Sequence, residues 1–130
     1  MGAAPGIGID LIEIERLERA LERRPRLRER IFFPGEIEAA DSRARPARHL
    51  AARFAAKEAA LKSLGVGGLR LREVEVIGGG NSPPRLVLHG EVAAEARRRG
   101  VELAVSLSHS RDLATAIVVA STESRAPSAD

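Results

Sequence analysis

Two carboxylates and two lysines mark where this chain could do chemistry. Asp10 closes the stretch Gly6-Ile7-Gly8-Ile9-Asp10. Glu58 lies within Arg53-Phe54-Ala55-Ala56-Lys57-Glu58-Ala59-Ala60-Leu61-Lys62. Brought together, two carboxylates suit Mg²⁺, which takes few protein oxygens and keeps its other positions for water and phosphate. Of the 21 basic residues, Lys57 and Lys62 are the only lysines. Lysine is a compact, rotatable point charge and arginine a rigid fork, so a chain that otherwise uses arginine keeps lysine where a phosphate has to be met by a point charge. Each residue also has a plainer account. Asp10-x-x-Glu13 has the spacing of a helix capping box, and Glu58 with Lys62 has that of a surface i,i+4 ion pair. Spacing alone favours both plain accounts. His109 sits at a strand end in a turn, where it either faces a ligand or is solvated. Gly65-Val66-Gly67-Gly68 follows a helix, so it is mainly a cap and exit turn; its backbone N–H groups could meet a phosphate, but it is not a loop of the Walker type.

The elements that must position these groups follow from periodicity. Residues 47–64 read as the longest helix, filled with Ala, Leu, Lys, Arg and Glu. Pro46 stands at its start and Gly65 is poised to take the left-handed cap. Wound at helical pitch, Leu50, Phe54, Leu61 and Leu64 form one apolar stripe. Lys57 falls inside that stripe, with Glu58 at one edge and Arg53 at the other. A lysine on a packed face requires an anionic partner, so Lys57 is expected to meet a carboxylate, one that positions the metal ligands. Residues 6–12 alternate as a strand with Ile7, Ile9 and Leu11 on one apolar face and Asp10 on the other. Residues 13–24 form an amphipathic helix with Ile14, Leu17 and Leu21 inward, stopped by Pro25. Residues 26–33 form a short basic helical segment, Pro34-Gly35 a break, and 36–41 another turn or two. Residues 73–77 and 85–89 pair as a hairpin about a long turn, 78–84. A helix over 91–99 ends at Gly100, and strands at 102–107 and 113–120 are joined through 108–112. The mixture lacks strict β-α-β alternation. It predicts an α+β fold: an antiparallel sheet with a long central helix packed on it. One domain spans residues 1–121, with a polar, flexible tail over 122–130.

Composition excludes several classes. The only aromatics are three Phe, too few for base-stacking platforms. There is no Cys, hence no disulfide frame, zinc-thiolate site or cysteine nucleophile. No apolar run is long enough to span a membrane and no signal-peptide pattern is present, so the expected compartment is cytoplasmic. The net charge of +3 is unevenly spread: residues 16–30 hold seven Arg. Arg16, Arg23, Arg26 and Arg30 are spaced to share a face if the helix continues. Balanced by Glu15, Glu18, Glu22 and Glu29, this is either a solvated face or a dock for an acidic partner. No nucleic-acid motif supports nucleic acid as that partner.

Taken together, the motifs resemble the holo-acyl-carrier-protein synthase family of 4′-phosphopantetheinyl transferases. The stretch from Gly6 to Asp10 followed by Arg16 resembles the family's Gly-Ile-Gly-x-Asp motif. Arg53-Phe54 through Lys57-Glu58-Ala59, Lys62 and Gly65 resembles its Arg-Phe-x-x-Lys-Glu-Ala-x-x-Lys-x-x-Gly signature. Pro84-Arg85-Leu86 after a glycine-rich turn, and Ser106-Leu107-Ser108-His109, are similar to its hairpin and C-terminal motifs. The resemblance implies transfer of phosphopantetheine from coenzyme A to a serine of acyl carrier protein, releasing 3′,5′-ADP. It implies Mg²⁺ on Asp10 and Glu58, Lys62 at the α/β phosphates, and Glu58, directly or through a metal-bound water, as the group that takes the serine proton. Arg53, Arg45 and His109 would hold the 3′-phosphate and adenosine, with Gly65 and Pro84 lining the site. Arg16, Arg23, Arg26 and Arg30 would meet the carrier. The family also implies a homotrimer with sites between subunits. The competing reading is a basic adaptor for an acidic protein or RNA, without catalysis.

Overall fold

The computed structural model describes residues 5–68 and 70–122. In order these form β1 (Gly6–Glu13), α1 (Ile14–Arg23), α2 (Leu27–Ile31), α3 (Pro34–Asp41), α4 (Pro46–Leu64), β2 (Val74–Gly79), β3 (Ser82–Leu88), α5 (Gly90–Arg99), β4 (Val101–His109) and β5 (Leu113–Thr122). The α+β expectation holds, with the strands divided between two antiparallel sheets: β1-β5-β4, and the hairpin β2-β3.

Helix α4 is the centre of the molecule. Its alanines Ala51, Ala55, Ala56, Ala59 and Ala60 are fully buried, as is Leu64. Small residues let neighbouring backbone come close, and β1 uses this. A Cβ on Gly8 would lie 1.9 Å from the Ala59 carbonyl oxygen, and one on Gly6 2.1 Å from that of Ser63. Only glycine permits this approach. The face of β1 that packs on α4 is therefore the one bearing Gly6, Gly8 and Asp10. The apolar face points outward, with Ile7, Ile9 and Leu11 61%, 62% and 64% exposed.

Several local expectations are corrected. Strand β1 runs to Glu13, so Asp10 is a strand residue and not a helix cap; the Ile14 N–H donates to the Asp112 carbonyl instead. Pro34 and Gly35 begin α3 rather than break the chain, since proline at the first helical position loses no hydrogen bond. The hairpin turn is shorter than 78–84. Gly78, Gly79 and Gly80 all take positive φ, which reverses the chain within a few residues, so Ser82, Pro83 and Pro84 enter β3. The two prolines fall where the register slips between Ile77 and Gly79, so their missing N–H groups break no ladder bond. At the other end β5 includes Ser121 and Thr122; the rest of the expected tail, 123–130, lies outside the described residues.

Candidate active site

The close approach of β1 to α4 brings the first constellation together. Lys62 Nζ donates to Asp10 Oδ1 at 2.9 Å and to the Ile9 carbonyl at 3.1 Å. Lys62 thus reaches across to the strand instead of pairing with Glu58. Half-buried Glu58 lies beside them. Burial raises its carboxyl pKa above the usual carboxylate range, and the charge of Asp10 adds to the rise, against the opposing pull of Lys62. Two carboxylates that repel each other beside one lysine leave room for a further cation. Among the described residues no third His, Asp or Glu joins them. That donor set fits Mg²⁺, which binds one or two carboxylates and fills its shell with water and phosphate.

These residues edge a cavity of about 1010 Å³. Leu17, Leu27, Ile31, Phe54 and Leu71 line its apolar part, and Arg16, Arg24 and Arg30 bring positive charge. An anion with an apolar extension suits such a lining.

A second cavity, about 430 Å³, opens between α4, α3 and the hairpin. It is lined by Arg43, His49, Arg53, Glu36 and the glycines 78–80, and shares no residue with the first. Arg53 is only 9% exposed. Its Nη2 donates to the Gly78 carbonyl at 3.1 Å, while its buried Nε has no partner among the described residues. Burial lowers the pKa of His49, and Arg48, Arg43, Arg53 and His109 lower it further. A field that disfavours one more positive charge favours an anion.

Lys57 is buried completely, as its place in the apolar stripe requires. Its Nζ donates to Glu36 Oε1 at 2.7 Å and to the Val74 carbonyl, and lies 5.6 and 5.4 Å from the ring centroids of Phe32 and Phe33. The carboxylate partner foreseen for Lys57 is therefore Glu36. It borders the Arg53 cavity, not the pair Asp10 and Glu58.

The description of the family model that matches residues 6–118 is 4′-phosphopantetheinyl transferase superfamily. The chain belongs to that superfamily. It is 46% identical over 115 residues to the holo-[acyl-carrier-protein] synthase of Moorella thermoacetica, covering 86% of this chain and 90% of the relative. To the synthase of Streptomyces griseus it is 47% identical over 117 residues, covering 88% and 96%. Among solved structures, the ACPS–CoA complex of Chronobacterium ammoniagenes superposes with a TM-score of 0.81 at 33% identity, covering 94% of this chain and all of that one. The Helicobacter pylori synthase in complex with coenzyme A superposes with a TM-score of 0.75 at 29% identity, covering 88% and 99%. The chain is thus an enzyme, a phosphopantetheinyl transferase.

For this transferase, the residues singled out by sequence fall into separate groups. Asp10, Glu58, Lys62, Arg16 and Arg30 share the larger cavity. Arg23 and Arg26 are exposed and lie outside it: Arg26 borders an adjoining groove with Arg24 and Arg30, and Arg23 one with Arg16 and Arg19. Arg53 lies in the second cavity. Arg45 Nη1 donates to the Arg111 carbonyl at 2.6 Å, and the His109 ring stands edge-on to His49 at 6.2 Å. Gly65 holds the left-handed cap of α4, with φ 65°, and Pro84 is half-buried in β3; neither lines the two cavities. Sequence reasoning missed Arg24, Arg43, His49 and Glu36. For His49 a signal existed: it lies four residues before Arg53, on the same face of α4. For Glu36 there was none, because its contacts are all long-range or to backbone.

Proposed function

We propose that this transferase moves the 4′-phosphopantetheine group of coenzyme A to a serine of apo-acyl carrier protein. The reaction is Mg²⁺-dependent, releases adenosine 3′,5′-bisphosphate and supports fatty acid biosynthesis in the cytoplasm, where coenzyme A and carrier proteins meet. The observation that carries this reading is the convergence of Asp10, Glu58 and Lys62 at the edge of a cavity bordered by arginines.

In this reading Asp10 and Glu58 hold Mg²⁺, which when bound supplies charge neutralisation at the pyrophosphate. Lys62 Nζ, 53% exposed at its side chain, neutralises the α/β phosphates. Glu58 takes the proton of the carrier's serine. The serine oxygen attacks the β-phosphorus, the bond from that phosphorus to the bridging oxygen breaks, and the 3′,5′-bisphosphate leaves. Such transfers depend chiefly on position and charge. Arg45, Arg53 and His109 take the 3′-phosphate and adenosine end, with Gly65 and Pro84 beside them. Arg16, Arg23, Arg26 and Arg30 meet the acidic carrier, in a contact that speeds encounter and weakens with salt.

The Asp10 and Arg53 cavities are lined by different residues of one chain. A homotrimer whose sites lie between subunits would join the Asp10 cavity of one copy to the Arg53 cavity of the next. The exposed apolar face of Ile7, Ile9, Leu11 and Ile117 supports that assembly.

The test is incubation with coenzyme A, Mg²⁺ and an apo-carrier protein, read by mass spectrometry. A phosphopantetheine mass gain on the carrier, abolished by a chelator, is expected. Asp10→Ala and Glu58→Ala should each reduce transfer by about 100-fold or more while remaining folded. Full activity in either variant overturns the metal assignment. Carrier binding that ignores both coenzyme A and Mg²⁺, with no mass gain, would instead indicate the basic adaptor.

A further inference from the structure

Among the described residues no strand lies beside the outer edge of β2, because the hairpin sheet is two-stranded. An unpaired edge presents a row of backbone groups that need partners. Here three backbone groups of β2 are taken by charged side chains. The Val74 carbonyl accepts from Lys57 Nζ, the Val76 N–H donates to Glu36 Oε2 at 3.1 Å, and the Gly78 carbonyl accepts from Arg53 Nη2 at 3.1 Å. Val74 and Val76 are one two-residue pleat repeat apart, so their groups point the same way, while Gly78 stands at the register slip and meets Arg53 through its carbonyl. Lys57 and Arg53 stand one turn apart on α4, and Glu36 comes from α3. Glu36 Oε1 also accepts from Lys57 Nζ at 2.7 Å and from the Phe33 N–H at 2.8 Å. Helices α3 and α4 and strand β2 therefore meet at one buried ion pair.

Stability alone does not require charge here, since a buried ion pair is commonly no better than an apolar pair of the same volume. What charge adds is direction. Lys57 and Glu36 bond particular atoms of β2, so the hairpin docks at one register. That register places the Gly78 carbonyl on Arg53 and leaves the unpartnered Arg53 Nε beside the second cavity.

We propose that Glu36 and Lys57 are positioning residues. They lock β2 against α4 and so hold the Arg53 guanidinium where it grips the 3′-phosphate of coenzyme A. This rests on the reading that Arg53 meets that phosphate.

The experiment compares coenzyme A with 3′-dephospho-coenzyme A, which lacks only that phosphate, as donors at saturating apo-carrier protein. The quantity read is the ratio of kcat/KM for the two donors. Glu36→Gln turns one of the two oxygens into a donor, so it cannot serve Val76 and Lys57 as before. It should lower the ratio by about tenfold, the worth of one well-placed charge-assisted hydrogen bond. The loss should appear in KM for coenzyme A, with kcat and the dephospho-donor near wild type. Lys57→Met should do the same, and so should Glu36→Gln/Lys57→Met, which removes both charges together. A purely structural role would lower the melting temperature and affect both donors equally. A wild-type ratio in any folded member of the three overturns the proposal. Hydrogen exchange of the wild-type protein adds a check that needs no variant: the Val76 amide should be strongly protected, and exchange at the rate of an open edge overturns the proposal. Arg53→Ala separates the two levels. If it collapses the ratio while the Glu36 and Lys57 variants keep it, the phosphate reading stands and the positioning role falls. If it leaves the ratio unchanged, the phosphate reading falls and takes this inference with it.

Discussion

His49 stands one turn before Arg53 on α4, among several arginines. Burial lowers its pKa first, and Arg48, Arg43, Arg53 and His109 add to the effect. Its imidazole should therefore titrate below the usual value of about 6.5. Because the folded pKa is depressed, the unfolded chain takes up the proton first as pH falls. The contribution is fully present above the unfolded pKa and is lost as pH drops from there toward the folded pKa. An NMR titration of the ring should give the lowered midpoint, and adenosine 3′,5′-bisphosphate should move it upward, since a neighbouring anion favours the imidazolium. A midpoint at or above the usual range without ligand would contradict the cationic character of this cavity.

At the scale of elements, the contact between β1 and α4 sets the spacing of the candidate catalytic groups. Gly8 lies against the Ala59 carbonyl, between Glu58 and Lys62 in the helix, and Asp10 is the next residue on the same face of the strand. Gly8→Ala would force the strand away from the helix. Overpacking of this kind costs about 1–3 kcal/mol, and denaturant unfolding should show a loss in that range. Transfer activity should fall as well, because the same movement pulls Asp10 away from Lys62. Unchanged stability would mean that the two elements have slack the structure does not show. The glycines of the Gly-Ile-Gly-x-Asp stretch were legible as a motif, but their physical purpose was not. Alternation marked one face of β1 as apolar, and the face that packs on α4 is the other one.

The whole molecule leaves that apolar face, Ile7, Ile9, Leu11 and Ile117, in water. An exposed patch of large aliphatic side chains on a sheet marks an interaction surface, and under the proposed function its occupant is another copy of the chain. Light scattering should give the mass of a trimer. Ile9→Arg places a charge in the middle of the face and should yield a smaller species, with transfer reduced by about tenfold or more, as for loss of an interface hot spot. A wild-type monomer with full activity would rule out a site shared between subunits.

Much was determined locally. The long helix, its proline start and its glycine cap follow from composition and spacing, and so do the α+β class, the carboxylate candidates and the need of Lys57 for an acid. These depend on propensity, periodicity and the cost of burying a charge, all of which act within a few residues of the chain. What only the tertiary structure decided are the pairings. Glu36 is twenty-one residues from Lys57, and Asp10 fifty-two from Lys62. At such distances local spacing favours the wrong partners: a capping box for Asp10 and an i,i+4 pair for Glu58. Close packing overrides both, because two glycines let β1 approach the backbone of α4 and bring Asp10 within reach of Lys62.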